Sequence, residues 1–195
     1  LKRLADNSPG FETVVAQKPE LVLAQYSWHV GPQGEVATRE QFEQLGIRTW
    51  ISPADCTGKT VTEMSNGDGA RTTPYTLNSV MNEITQLSQI FDVADRGEAL
   101  KKNLADRIAH AQQQADAQTG PPLNVVFWFS SSRLKGDPWV AGNDGAPGWI
   151  SKTLGLQNII HSSEEWPAVT WEHIAHSQPD VIVIASMDRR LYPAD

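Results

Sequence analysis

The sequence predicts an α/β protein built from two similar lobes that one long helix joins. Residues 11–24 (FETVVAQKPELVLA) and 171–184 (WEHIAHSQPDVIVI) share one pattern: an aromatic residue, Glu, a helical stretch, Pro, an acid and four apolar residues. Between these two copies, residues 77–91 carry an apolar residue at every third or fourth position, which is typical of one helix face. Helices that alternate with apolar strands indicate a mostly parallel sheet.

The first predicted elements are a short helix and a buried strand. Ser8 is a favourable N-cap and Pro9 a favourable first helical residue, so a helix is expected to begin there and to end before Pro19. Residues 21–24 form an unbroken apolar run, which is typical of a strand buried on both faces. Residues 26–37 are then expected to form an exposed loop.

A second helix and strand follow this loop. Thr38 and Gln41 have the spacing of a capping box, and Gly46 is expected to end the helix that they begin. Residues 47–51 predict the second strand. Residues 52–74 are rich in Ser, Pro, Gly, Asp, Asn and Thr, so they predict a long loop or linker.

The second half begins with two long helices, of which the first joins the lobes. Apolar spacing defines the first helix over about 75–91, and a second helix follows and ends by Gly120. The later elements are a buried strand at 125–129, a helix at 147–154, an extended stretch at 157–160, a helix from Thr170 and a second buried strand at 181–185. The predicted domains are an N-terminal lobe at 1–74, an interlobe helix at 75–92 and a C-terminal lobe at 93–195.

Composition and motifs exclude several classes of function. The chain of 195 residues has a formal net charge of −7, so it lacks the basic face that nucleic acids or anionic membranes need. A single cysteine, Cys56, excludes an internal disulfide and a cysteine-rich zinc site. The sequence contains no P-loop, no dinucleotide fingerprint and no Gly-x-Ser-x-Gly elbow, so no enzyme is predicted. A hydrolase and a purely structural module are the alternatives of a different class.

The motifs resemble, in their order, the substrate-binding proteins of bacterial ABC importers for iron-siderophores, haem and cobalamin, whose lobes are joined by one rigid helix. The resembling stretches cover nearly the whole chain and lie at 11–25, 44–47, 76–93, 138–159 and 164–184. The resemblance implies a class III periplasmic binding fold with two Rossmann-like lobes. It also implies truncation at both ends, because the family has a further strand and helix before these motifs and further elements after them. The segment at 55–73 is longer than the family usually has, and its role is left open, as is that of Cys56.

The function that this resemblance implies is capture of a ferric-siderophore-like chelate between the lobes and its delivery to an ABC permease. The protein would work as a monomer in the periplasm, or lipid-anchored outside the inner membrane, without catalysis and without a cofactor. Cobalamin, haem and a free metal ion are the alternative ligands.

Two glutamates are candidates for docking to the permease. The resemblance implies that a surface glutamate on each lobe contacts arginines of the permease, and these glutamates match Glu12 and Glu172. Each lies in the first predicted turn of its helix, where the helix dipole favours an ionised, exposed carboxylate. Helix stabilisation alone is the simpler interpretation of either acid, and the duplication favours docking.

The candidate ligand residues are mostly aromatic and follow the ends of predicted strands. Tryptophan and tyrosine give wide contact at a low cost in entropy, and arginine adds a planar fork for carboxylate, catecholate or hydroxamate oxygens. Trp166 is the principal candidate, because it lies in the EEWP stretch where the family often has a cleft aromatic. The further candidates are Tyr26, Trp28, His29, Ser130, Ser131, Arg133 and Trp139. Ordinary packing stays an equal alternative for Tyr26, Trp28 and Trp139, and it is the preferred interpretation for Trp50, Trp128 and Trp149.

A metal-ion site is the alternative within the same class of protein. It would need histidine and carboxylate ligands, for which His29, Asp137 and His161 are candidates. His173 and His176 share a helix face with Glu172 nearby, but exposed polar surface is the preferred interpretation there. No metal site is therefore predicted.

Overall fold

The structure is a computed structural model that describes residues 2–6, 8–31, 34–62, 67–131 and 136–185. The chain divides into two compact units, Leu1–Thr57 and Gly58–Asp195. The predicted lobe boundaries, and the prediction that the helix at 75–92 joins the lobes, stay predictions.

The first unit is a small α/β layer. Its elements are α1 (Phe11–Val15), β1 (Leu21–Ala24), α2 (Ser27–Val30), α3 (Arg39–Glu43), β2 (Arg48–Ile51) and α4 (Pro53–Cys56). Strands β1 and β2 pair in parallel, with Leu21 opposite Arg48 and Ala24 opposite Ile51. A helix lies between the two parallel strands along the chain, as the sequence predicts.

Phe42 on α3 is the centre of the core of this unit. Its side chain is fully buried, and its ring meets that of Phe11 edge to face, with the centroids 5.1 Å apart. The buried apolar residues around it are Ala24, Val30, Ala37 and Ile47. The prediction that residues 21–24 are buried on both faces is wrong for Leu23, which is 44% exposed. Strands that alternate their side chains across a two-stranded sheet leave one face largely uncovered.

The start of one helix was predicted correctly and the start of another was not. Thr38 accepts a hydrogen bond from the backbone of Gln41, whose side chain accepts one in return, so the predicted capping box is confirmed. Ser8 does not cap α1, because that helix begins after Gly10 without a side-chain cap. The Ser8 hydroxyl instead donates to Glu35 over 2.6 Å, a partner 27 residues away that helix-start rules do not consider.

The second unit contains a hairpin, two long helices and a four-stranded sheet. Its elements are β3 (Lys59–Thr60), β4 (Ala70–Arg71), α5 (Leu77–Ile90), α6 (Ala94–Asp116), β5 (Asn124–Ser131), β6 (Pro138–Val140), α7 (Ala146–Thr153), β7 (Gln157–Asn158), α8 (Trp171–His176) and β8 (Val181–Ile184). The long strand β5 pairs in parallel with β7 and β8 and antiparallel with β6. Helices α5 and α6 pack closely at Gly97, where an added Cβ would come within 2.5 Å of the Ser88 hydroxyl.

The segment at 52–74 is not the plain loop that its composition predicts. It contains α4, which Ser52 caps at the backbone of Ala54, and the antiparallel hairpin of β3 and β4. Hairpin strands of two residues are too short to give a period in the sequence, so composition alone indicated a loop. The three-residue strand β6 was missed for the same reason.

Strand β8 has the predicted position but not the predicted burial. Its four apolar side chains are 41–48% exposed. β8 pairs with β5 alone among the described strands, so it is an edge strand that a neighbour covers on one side only. Among the described residues, no helix combines the length and the apolar character needed to cross a membrane.

Candidate ligand-binding site

An aromatic cluster follows β1 in the first unit. The rings of Tyr26 and Trp28 stack nearly in parallel, with 5.4 Å between their centroids and 10° between their planes. The His29 ring lies 3.9 Å from that of Trp28. Because Tyr26 and Trp28 are 39% and 37% exposed, the cluster presents flat aromatic surface to solvent. The structure therefore brings together the three aromatic candidates of this unit.

A single helical turn holds this cluster in place. The predicted exposed loop at 26–37 contains α2, which has Val30 buried in the core beneath it. The backbone N–H of Ser27 donates to the Asp55 carboxylate over 2.7 Å. Asp55 is itself buried on α4, which lies in the segment that composition predicts to be a loop. The cluster is preorganised by this contact, which lowers the entropic cost of binding a flat ligand.

Trp166 is half-buried in the second unit, against a residue that the sequence did not single out. Its ring centroid lies 4.6 Å from that of Phe129 on β5, with the planes tilted by 32°. Trp139 on β6 lies on a neighbouring backbone segment, because Val140 donates to the carbonyl of Pro167 over 3.1 Å. The sequence missed Phe129 because it ends an apolar run, where strand packing is the simplest interpretation.

Of the remaining ligand candidates in the second unit, the structure describes the environment of Ser130 but not that of Ser131 or Arg133. Ser130 is buried and lies opposite Trp139 in the β5–β6 pairing. Arg133 and the side chain of Ser131 lie outside the described residues, so their predicted contacts stay predictions. Trp128 packs edge to face against Trp171 with the centroids 4.6 Å apart, as the packing interpretation expects.

Glu165, the residue before Trp166, forms a buried ion pair with Arg71 of β4. Both residues are 8% exposed, and the Nε of Arg71 donates directly to Oε1 of Glu165. The guanidinium also lies over the ring of Tyr75, 5.3 Å from its centroid. Sequence reasoning missed this group because its two charged residues lie 94 positions apart.

The Tyr75 phenol gives this group a dependence on pH. Burial raises its pKa above the ordinary value of 10.0, and the positive charge of Arg71 offsets part of the rise. Because the pKa of Tyr75 is higher in the folded state than in the unfolded state, the protonated phenol contributes fully to stability below about pH 10. This contribution is lost as the pH rises above that value, where the unfolded chain releases the proton first. We expect the free energy of unfolding to fall more steeply from about pH 10 to 11.5 in the parent protein than in Tyr75→Phe. Urea denaturation across this pH range measures the slope for each protein. Equal slopes would contradict a raised pKa for Tyr75.

Of the two histidine candidates for a metal site, His29 belongs to the aromatic cluster and His161 lies on polar surface. His161 is exposed and accepts a hydrogen bond at Nδ1 from the side-chain amide of Asn143 over 3.0 Å. It also lines an open cleft of about 320 Å³ together with His173 and Asn124. In the part of the chain that the structure describes, no group of three or more His, Cys, Asp or Glu side chains is placed to hold a metal ion.

The two docking candidates lie where the sequence places them along their helices. Glu12 is in the first turn of α1, and Glu172 is in the first turn of α8, whose N-cap is Thr170. Both carboxylates are exposed. Their location is therefore confirmed, and their contact with a permease stays a prediction.

The described residues of each unit have an α/β fold. The model of the periplasmic binding protein family matches residues 1–193, and the chain therefore belongs to that family. The predicted fold class is confirmed. The family consists of substrate-binding proteins rather than enzymes, which also confirms the prediction that the chain is not an enzyme. No curated protein sequence matches the chain.

Solved structures of similar fold come from several bacteria. A periplasmic binding protein from Veillonella parvula has a TM-score of 0.73 and 19% identity, with 95% of this chain and 55% of that chain covered. A protein of an ABC-type Fe3+-hydroxamate transport system from Saccharomonospora viridis has a TM-score of 0.70 and 23% identity, with coverages of 97% and 57%. A periplasmic haem-binding protein from Pseudomonas aeruginosa has a TM-score of 0.67 and 21% identity, with coverages of 94% and 56%. The chain thus spans little more than half the length of these structures.

Proposed function

We propose that this chain is the ligand-binding part of the solute-binding component of an ABC importer, and that its ligand is a ferric-siderophore-like chelate. The observation that carries this proposal is the presence of preorganised aromatic surface in each unit. The Tyr26–Trp28 stack provides it in the first unit, and Trp166 against Phe129 provides it in the second. Such rings suit a large amphipathic chelate because they give wide contact with few rotatable bonds.

Haem is the second candidate ligand. The nearly parallel rings of Tyr26 and Trp28 offer a flat surface that suits a planar macrocycle. The two ligand classes named for similar structures, Fe3+-hydroxamate and haem, are both iron chelates. Both candidate ligands are therefore iron chelates, and titration with each of them distinguishes the two.

We expect full-length protein to bind a ferric chelate with quenching of tryptophan emission, because a ferric chelate close to Trp166 provides a path for energy transfer. The panel is a ferric hydroxamate siderophore, a ferric catecholate siderophore, haemin and cobalamin, each titrated against the emission. The iron-free chelators are the matched controls and should quench less. Binding of zinc or manganese salts without binding of any chelate would favour the metal-ion alternative and contradict this proposal.

The proposal includes delivery of the chelate to the transmembrane subunits of the importer. Glu12 and Glu172 are the proposed contacts, since each is an exposed acid in the first turn of a helix. The proposed location is the periplasm, or the outer face of the inner membrane through a lipid anchor. The proposed working form is a monomer.

A further inference from the structure

We propose that β3, β4 and residues 72–75 form a clasp that fixes the backbone bearing Trp166, with Arg71 and Glu165 as positioning residues for ligand binding. The part of this inference that concerns the ligand rests on the proposed function. The part that concerns the position of Trp166 does not.

The clasp extends the hairpin onto the segment before Trp166. Strand β4 pairs with β3 on one side, where Arg71 lies opposite Lys59. On the other side Arg71 donates its backbone N–H to the carbonyl of Ser163 over 2.7 Å, and Ala70 forms an antiparallel bridge with Glu164. The segment at 163–165 is therefore held by β4 in the manner of an additional strand.

Glu165 is held at its amide, its carbonyl and its carboxylate. Its backbone N–H donates to Gly69 over 3.1 Å, and its carbonyl accepts from Gly142, also over 3.1 Å. Its carboxylate accepts from the buried guanidinium of Arg71. The space around it is closed as well, because a Cβ added at Gly145 would come within 2.6 Å of Oε2. These contacts leave the residue before Trp166 little freedom to rotate.

Tyr75 ties the clasp to the turn before α7. Its backbone N–H donates to the carbonyl of Asp144 over 2.7 Å, and its ring lies beneath the Arg71 guanidinium. Removing one partner of a buried ion pair leaves the other charge unpaired, so the pair fixes one arrangement of the two segments. Because Glu165 and Trp166 are adjacent, a rotation of the backbone at Glu165 would move the indole away from Phe129.

Two variants separate positioning from plain stability. Arg71→Lys keeps the positive charge but lacks the planar donor fork, so Glu165 loses its fixed geometry. The double substitution Arg71→Met with Glu165→Leu removes both charges, a change that folded proteins often tolerate because no unpaired buried charge remains. Glu98→Gln is the matched control, because it breaks the ion pair of Glu98 with Lys101 on α6 of the same unit.

The experiment uses full-length protein labelled with 5-fluorotryptophan, with the Trp166 fluorine resonance identified by its loss in Trp166→Phe. We expect this resonance to shift or broaden in Arg71→Lys and in the double variant, and to stay unchanged in Glu98→Gln. The Kd for the ferric chelate should rise about tenfold in the first two variants, by analogy with the roughly 10- to 100-fold loss of affinity when groups that orient metal-ligating side chains are removed. Melting temperatures report whether each variant has folded.

Two results would overturn the inference. An unchanged Trp166 resonance in a folded Arg71→Lys or double variant would show that the pair does not position Trp166. A displaced resonance with an unchanged Kd would show that the clasp positions Trp166 without serving the binding of that chelate. If the parent protein binds none of the chelates, the proposed function fails, and the resonance alone decides whether the clasp positions Trp166.

Discussion

Replacing Trp166 with alanine should raise the Kd for the ferric chelate roughly 30-fold. Truncating a half-buried aromatic anchor typically costs about 2 kcal/mol of binding free energy, and this energy corresponds to roughly a 30-fold change in Kd. Trp166 has the features of such an anchor, because one part of its ring packs against Phe129 and another stays accessible. Titration of full-length protein, followed by absorbance of the chelate, measures the effect without relying on tryptophan emission.

A tryptophan on a nearby helix provides the control for this variant. Trp149 on α7 is also half-buried, and we expect Trp149→Ala to change the Kd by less than about twofold, since packing is its predicted role. Melting curves of both variants should be compared, because the loss of either ring removes packing contacts. A chelate that binds Trp166→Ala as tightly as the parent protein would identify Trp166 as a packing residue.

The double substitution of Glu12 and Glu172 by alanine should abolish uptake of the chelate and leave its binding unchanged. Both carboxylates are exposed in first turns, and neither helix contributes a proposed ligand residue. Losing a first-turn acid costs about 0.3–1 kcal/mol of local stability, which is too little to unfold a domain. A loss of transport would then reflect lost contact with the permease.

The chain offers a control with the same change in charge. Glu40 and Asp95 are exposed first-turn acids of α3 and α6, so replacing both by alanine removes two charges of the same structural type. We expect this control to take up the chelate at the parent rate in cells that lack the native gene. Normal uptake by the Glu12→Ala, Glu172→Ala variant would remove the docking assignment, and equal loss in both variants would point to net charge instead.

Local patterns predicted most of the fold. Capping requires only residues within one helical turn of each other, so the capping box of Thr38 with Gln41 could be predicted from the sequence. The apolar spacing over 77–91 likewise predicted α5, which spans Leu77–Ile90. These predictions succeeded because the interactions behind them repeat along a single element.

Contacts between distant segments could not be predicted in this way. The hairpin strands β3 and β4 have two residues each, and their backbone groups are satisfied partly by residues 163–165. No pattern within the segment at 52–74 indicates that partner. Burial of an apolar strand was equally out of reach, because the run at 181–184 reads the same whether it lies at the centre or at the edge of a sheet.

The residue types of the candidate site could be predicted from the sequence, but most of the contacts between these residues could not. The position of Tyr26 and Trp28 after a strand indicates a binding role, and the structure adds their stacking and the Asp55 contact that supports them. The sequence does not indicate Phe129 as the partner of Trp166. Which aromatic rings meet depends on strand pairing between segments far apart, which one sequence does not specify.

The ion pair between Arg71 and Glu165 also has a consequence for the order of folding. All contacts within the first unit join residues of Leu1–Thr57, so they can form before the second unit has been synthesised. Arg71 can pair only after Glu165, 94 positions later in the chain, has been synthesised. Closing so long a loop costs more conformational entropy than forming a contact between neighbouring residues. We therefore expect the clasp to be among the last parts of the second unit to form, and until then the hairpin lacks the segment at 163–165 as a partner.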